Sequence, residues 1–169
     1  MIDQSHLESL YDDYSKGLYG YFLSFTRCDA DAADLLQDVF VKLARNPRCL
    51  DRVKNVRSFL FRMAHNLAVD WSRRGKSRRK RAEDLAKMPA VLLETDPDTE
   101  QFRASLEDAL AELPEEQRSA VYMKLWGELT AEEIADACGV SANTISSRYR
   151  YGLEKLRTIL RPVYDEIKN

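Results

Sequence analysis

Leu129-Thr130-Ala131-Glu132-Glu133-Ile134-Ala135-Asp136-Ala137-Cys138-Gly139-Val140-Ser141-Ala142-Asn143-Thr144-Ile145-Ser146-Ser147-Arg148-Tyr149-Arg150-Tyr151 reads as two helices joined by a tight turn. Thr130 is placed to cap the first helix, and Glu133, three residues on, can reach back to the cap's backbone N–H. Gly139 stands where that helix must stop in a left-handed conformation, which glycine adopts without a Cβ clash. Ser141 then caps a second helix. Ile134, Ala135, Cys138, Val140 and Ile145 supply the small and apolar contacts between the two. The second helix turns Asn143, Ser146, Ser147 and Arg150 outward, types that read base edges and hold phosphates. The plainer alternative is a helical hairpin with a polar outer face. The A-x-x-x-G-V-S spacing followed by an Asn/Ser/Arg face favours a helix-turn-helix on DNA.

Outward from this stretch, nearly everything reads as helix. From Leu7 to Phe25 the apolar residues Leu7, Leu10, Tyr11, Tyr14, Leu18, Tyr21, Phe22 and Phe25 form one helical stripe. Asp29 or Asp31 opens the next helix, in which Leu35, Leu36, Val39, Phe40 and Leu43 recur at three and four. Asn46-Pro47 ends it, because the residue before proline is pushed out of the α region. After a loop of about eight residues, a third helix runs from about Val56 through Phe59, Leu60, Met63, Ala64 and Leu67 to Trp71. Residues 82–99 hold Met88-Pro89 and Thr95-Asp96-Pro97-Asp98 with no lasting period, which suggests a linker with a short helix around 83–87. Leu106, Leu110 and Leu113 begin a second core, Pro114 breaks the chain, and Glu115-Glu116 opens a helix reaching Trp126. The expected fold is all-α, two small helical domains (1–81 and 100–169) joined by an acidic linker (82–99).

The 169 residues carry a formal net charge of −2, which by itself argues against nucleic acid. Its distribution argues otherwise. Residues 71–81 hold seven Lys/Arg (Arg73, Arg74, Lys76, Arg78, Arg79, Lys80, Arg81) and no acid, whereas residues 82–116 hold two basic and eleven acidic residues. Such a cationic run repels itself unless an anion, most naturally nucleic acid, lies on it; a solubilising linker start is the alternative. No apolar run approaches the ~20 residues of a bilayer span. The first residues lack the basic start and apolar core of a signal peptide, so a cytoplasmic protein is expected. Cys28, Cys49 and Cys138 are scattered and the only histidines are His6 and His65, so no metal site and no cofactor are expected. His65 has no second titratable partner at a motif spacing and reads as a surface or packing histidine.

Two helices carry further faces. In Asp31-Ala32-Ala33-Asp34-Leu35-Leu36-Gln37-Asp38-Val39-Phe40, the residues Asp34, Gln37, Asp38 and Val41 share one face beside the Leu35, Val39, Leu43 stripe. An acidic and amide strip of this kind can dock on a basic partner helix, or be a solvated surface. The third helix interleaves Arg57, Arg62, His65, Asn66, Asp70, Arg73 and Arg74 with Phe59, Phe61 and Trp71. Basic groups beside exposed aromatics suit single-stranded nucleic acid; equally, Phe59 and Trp71 can be core.

Four segments in register now resemble one family: Asp31 to Phe40 as quoted, Ser58-Phe59-Leu60-Phe61-Arg62-Met63-Ala64-His65-Asn66-Leu67-Ala68-Val69-Asp70, Leu113-Pro114-Glu115-Glu116-Gln117-Arg118, and the helix-turn-helix. Over about residues 7–160 the chain resembles the bacterial extracytoplasmic-function (ECF) sigma factors, promoter-specificity subunits of RNA polymerase. The resemblance implies that the first domain is sigma region 2. Asp34, Leu35, Gln37, Asp38 and Val41 would then meet the β′ clamp helices of the polymerase core. The 46–55 loop and the 59–74 helix, with Arg62, Asn66, Asp70, Arg73 and Arg74, would open and hold the minus-10 element. The second domain would be region 4, touching the β flap and reading the minus-35 element through Asn143, Thr144, Ser146, Ser147, Arg148, Arg150 and Tyr151. Ser146 stands where many relatives carry a basic residue, so minus-35 specificity is expected to differ. The family also implies an anti-sigma factor as partner, no catalysis, and an alternative stress or envelope regulon.

Two other classes compete. A stand-alone helix-turn-helix regulator needs neither the Asp34/Gln37/Asp38 face nor the aromatic-basic third helix. A nuclease needs a metal-binding carboxylate cluster, for which Asp34 and Asp38 are the only compact candidates. The charge segregation further predicts a compact free chain, with the acidic 82–116 stretch lying near the 73–81 run and weakening as salt rises.

Overall fold

A computed structural model of the chain describes residues 1–75 and 97–168. Seven helices and no strand occur among them: α1 (Gln4–Thr26), α2 (Asp29–Arg45), α3 (Val56–Gly75), α4 (Pro97–Glu112), α5 (Glu115–Leu125), α6 (Ala131–Cys138) and α7 (Ala142–Lys168). The basic run beyond Gly75, the short helix expected around 83–87 and most of the 82–99 linker lie outside the described residues. Its last three residues, 97–99, already belong to α4, which starts with a proline where the missing N–H costs nothing.

The first unit is α1, α2 and α3. Leu18, Tyr21 and Phe22 of α1 meet Val39 and Leu43 of α2 and Leu60 and Ala64 of α3 in a core that excludes water completely at these positions. The stripe expected on α1 holds, except that Tyr11 lies at its edge, half exposed, with its ring tilted on Phe40 at 4.9 Å. Asp29 does begin α2, but Cys28 is the cap residue and makes no side-chain cap bond; Asp29 and Asp31 act instead as acids in the first turn. At the end of α2, the Asn46 N–H donates to the carbonyls of Lys42 and Leu43.

The second unit is α4 to α7. Its centre is Leu110, Leu113, Val121, Met123, Ile134 and Ile145, all buried. Arg118 is buried there too. Its Nε donates to the Leu110 carbonyl at 2.9 Å, and its Nη2 donates to the carbonyls of Ala111 and Leu113 at 2.9 and 2.8 Å. One guanidinium thus satisfies carbonyls that a terminating helix leaves orphaned, and its charge opposes the negative end of α4. The Leu113–Arg118 segment is therefore a structural joint: a proline ends one helix and starts the next, and an arginine one turn later seals the gap.

The two units are packed on each other. α1 and α3 of the first meet α4, α5 and α6 of the second, and their cores are contiguous. Among the described residues no helix is long and apolar enough to cross a membrane, and no group of three or more His, Cys, Asp or Glu is placed to hold a metal ion.

Candidate nucleic-acid interface

The α6–turn–α7 geometry follows the local chemistry closely. The Thr130 Oγ1 accepts from the Glu133 N–H at 3.2 Å, and Glu133 Oε2 accepts from the Thr130 N–H at 2.9 Å, a reciprocal cap. Gly139 ends α6 at φ +69°. Ser141 Oγ accepts from the Thr144 N–H at 3.2 Å and caps α7. Nothing lies within 4 Å of a side chain added at Gly139, so replacing it by alanine costs only the left-handed backbone. Gly139→Ala is expected to lower stability by about 1–2 kcal/mol, read as a drop in the denaturant midpoint. An unchanged midpoint would mean that the turn relaxes to another conformation.

On α7, Asn143, Ser146, Ser147, Arg150 and Tyr151 are exposed, and the Arg150 guanidinium lies 5.0 Å from the Tyr151 ring centre. These five make one continuous outer surface. Two of the expected contacts stand apart. Thr144 is half-buried and its hydroxyl shares a hydrogen bond with Ser141 at 2.9 Å, which ties it to the cap. Arg148 is also half-buried; two residues before Arg150, it lies about 200° around the helix. Its charge adds to the burial that lowers the His65 pKa in α3 and opposes in part the burial that pushes the Cys138 thiol of α6 up to about 11, so it lies between these two elements.

On α3, Arg62, Asn66, Asp70 and Arg73 recur at four, four and three residues and form a single exposed row. Arg74 is exposed beside it. The row lines an open cleft of about 780 Å³ whose opposite wall is Asp136, Ala137, Cys138 and Gly139 of α6. The aromatic question divides: Phe61 is core, at 2% exposure, while Phe59 and Trp71 are half-buried against the core. Arg62 lies 5.7 Å from the Phe59 ring centre, so a cation and a partly open aromatic do stand together. His65 is not a surface group. Its Nδ1 is 2.9 Å from the Tyr21 hydroxyl, and burial, aided by the nearby Arg148 charge, pushes its pKa below the ordinary value, which keeps the ring neutral at pH 7.

On α2, Asp34, Gln37 and Asp38 are exposed and Val41 is 36% exposed, so the expected strip exists. Leu35 is not part of it. At 7% exposure it lies in the core, because its position shares the stripe of Val39.

Polar contacts unforeseen from the sequence join the units. Tyr21 Oη lies 3.2 Å from Ser119 Oγ as well as bonding His65, and Tyr122 donates its hydroxyl to the Gly17 carbonyl at 3.1 Å. Asn55 Nδ2 donates to Glu133 at 2.5 Å, Ser72 to Glu115, and Arg27 and Arg57 pair with Asp108 and Glu128.

The sequence matches the family models described as Sigma-70 region 2 over residues 10–79 and Sigma-70, region 4 over residues 103–156. The RNA polymerase sigma-E factor of Streptomyces coelicolor is 33% identical over 129 residues, 75% of this chain and 70% of that protein. The ECF RNA polymerase sigma factor SigL of Mycobacterium tuberculosis is 26% identical over 157 residues, 92% of this chain and 89% of that one. The fold matches that of the sigma factor RpoE, solved in complex with the anti-sigma factor NepR from Bartonella quintana. There the TM-score is 0.72 at 21% identity, covering 91% of this chain and 96% of that chain. On these matches the chain belongs to the ECF RNA polymerase sigma factors.

Proposed function

We propose that this sigma factor divides its contacts among three helices. The α2 strip of Asp34, Gln37, Asp38 and Val41 docks on the β′ clamp helices of core polymerase. The α3 row, Arg62, Asn66, Asp70 and Arg73 with Arg74, takes up the minus-10 element. The exposed α7 surface reads the minus-35 element, and the same unit meets the β flap. The observation that carries this reading is the simultaneous exposure of an acidic strip on one unit and a capped recognition helix on the other. A stand-alone DNA-binding regulator has no use for the strip. The chain acts without catalysis of its own, in the cytoplasm, under an anti-sigma factor, on a stress or envelope regulon; RpoE is named in complex with such a factor.

Co-purification with core polymerase, followed by run-off transcription from a promoter library, tests the whole reading. No initiation from any member of the library would defeat it. Within α7, Arg150→Ala is expected to weaken minus-35-dependent binding by ~1–3 kcal/mol, about 5- to 150-fold. Asn143 and Ser147 substitutions should instead alter which bases are preferred. Binding selections on randomised DNA separate the two, and one unchanged motif for all the variants would remove α7 from the reading role.

A further inference from the structure

The 46–55 loop between α2 and α3 is built from three successive turns. Cys49 N–H donates to the Asn46 carbonyl at 3.0 Å, Asp51 N–H to Arg48 at 3.1 Å and Val53 N–H to Leu50 at 3.0 Å. Asn55 then caps α3, its Oδ1 accepting from the Ser58 N–H at 3.0 Å. Cys49 and Leu50 are half-buried against the core, while Arg48, Arg52 and Lys54, the loop's only cations, are exposed. Turns of this kind fix the local backbone but not where the loop sits on its unit. Residues 1 and 2 supply that position. Ile2 is 8% exposed, within the core, and its N–H donates to the Pro47 carbonyl at 2.7 Å. The Met1 nitrogen donates to Asp51, the loop's one carboxylate, at 2.8 Å, while the Met1 side chain stays in solvent. Asp3 is fixed in turn as the cap of α1, its Oδ1 accepting from the His6 N–H at 2.8 Å. The loop is thus tied through Ile2 to the first turn of α1. A hydrophobic staple accounts for an apolar residue just before a helix cap, but not for its main-chain bond to a loop between two other helices.

We propose that Ile2 is a positioning residue for minus-10 recognition, pinning the 46–55 loop so that Arg48, Arg52 and Lys54 meet the phosphates of the melted strand beside the α3 row. The proposal rests on the reading of this end of the first unit as the minus-10 surface. The gain is pre-organisation. Cations on an unpinned loop lose loop and side-chain freedom when they bind; on a pinned loop part of that loss has already occurred on folding. Ile2 touches no DNA itself and acts only through the loop.

The test uses the holoenzyme reconstituted from the full chain and core polymerase. The probe is a fluorescein-labelled fork junction carrying the minus-10 element of the strongest promoter from the run-off library. Ile2→Ala is expected to weaken probe binding about tenfold, the scale set by ordering a few long side chains, with affinity for core polymerase unchanged. Ile2→Val, which refills the seat but for one methyl group, should stay within about twofold of the parent. Replacing Arg48, Arg52 and Lys54 together by alanine should also weaken binding, and adding Ile2→Ala to that variant should cost nothing more. If Ile2→Ala loses helical content, Leu50→Ala loosens the loop from its own half-buried side and carries the same expectation. An Ile2→Ala loss that persists undiminished in the triple-alanine background, or that is matched by an equal loss of core affinity, means that Ile2 only stabilises the unit and overturns the proposal. Full probe binding by Ile2→Ala beside a weak triple variant also overturns it, and leaves the loop as a DNA contact without the brace. A triple variant that binds like the parent removes the loop from the DNA surface, and the proposal with it.

Discussion

Arg118→Ala is expected to destabilise the region 4 unit by about 4 kcal/mol. The side chain donates three hydrogen bonds to main-chain carbonyls, and a bond to a charged group contributes ~1.5 kcal/mol at the low end. No neighbour can replace it: the carbonyls of Leu110, Ala111 and Leu113 converge on one planar fork, and Arg118 is 7% exposed. Its guanidinium also lies 5.2 Å from the Phe25 ring centre in α1, so the loss reaches the other unit. Domains of this size have 5–15 kcal/mol in total, so the variant should be partly unfolded near physiological temperature. Arg118→Lys should recover only a minor share, since an ammonium has no fork to match three carbonyls. Denaturant unfolding followed at Trp126 reports on this unit, with Trp71 in α3 as the comparison. Equal midpoints for parent, Lys and Ala variants would show that the three bonds contribute nothing net.

What the sequence makes legible is what depends on near neighbours. The Thr130/Glu133 cap, the Gly139 stop and the Ser141 cap each need only residues within one turn, and all form as the spacing predicts. The same is true of the α2 stripe and of most of the stripes on α1 and α3, where Tyr11 lies exposed and Phe61 joins the core while Phe59 and Trp71 stay half-buried. Periodicity also places Leu35 on the Val39 and Leu43 stripe and leaves Arg148 half a turn away from Arg150, as found; the family resemblance, which counts both among the contacts, is what the structure corrects. Periodicity says nothing where the partner is distant in the chain. His65 looks solitary in sequence because Tyr21 is 44 residues away, and Tyr122 reaches Gly17 across 105. The visible trace of that seam was the Gly17, Gly20 spacing in the middle of a long helix, since interior glycines weaken a helix unless something must approach closely. Among the described residues the units meet through buried tyrosines and contiguous apolar cores, where charge segregation pointed to attraction between the 82–116 and 73–81 segments. Half of those charges lie outside the described residues, so the salt dependence of compaction remains the measure of their share.

Asp34→Lys combined with Gln37→Ala is expected to weaken binding to core polymerase by ~2–5 kcal/mol, roughly 30-fold to a few thousandfold. Both side chains are exposed on the outer face of α2, so neither change disturbs the Leu35, Leu36, Val39 and Leu43 stripe beneath them, and the melting temperature should hold. The size of the effect comes from reversal. A lysine at 34 places like charge against a basic partner helix, and the alanine removes the amide beside it. Salt supplies the second discriminant. Attraction between the acidic strip and a basic surface is screened beyond ~8–10 Å at physiological ionic strength. Binding of the parent should therefore fall as salt rises, while binding of the double variant, having lost that term, should fall less steeply. Equal affinities at low salt would remove α2 from the interface. Unequal affinities with parallel salt slopes would instead mean that the strip binds through shape and hydrogen bonds, with Gln37 and Val41 contributing more than the carboxylates.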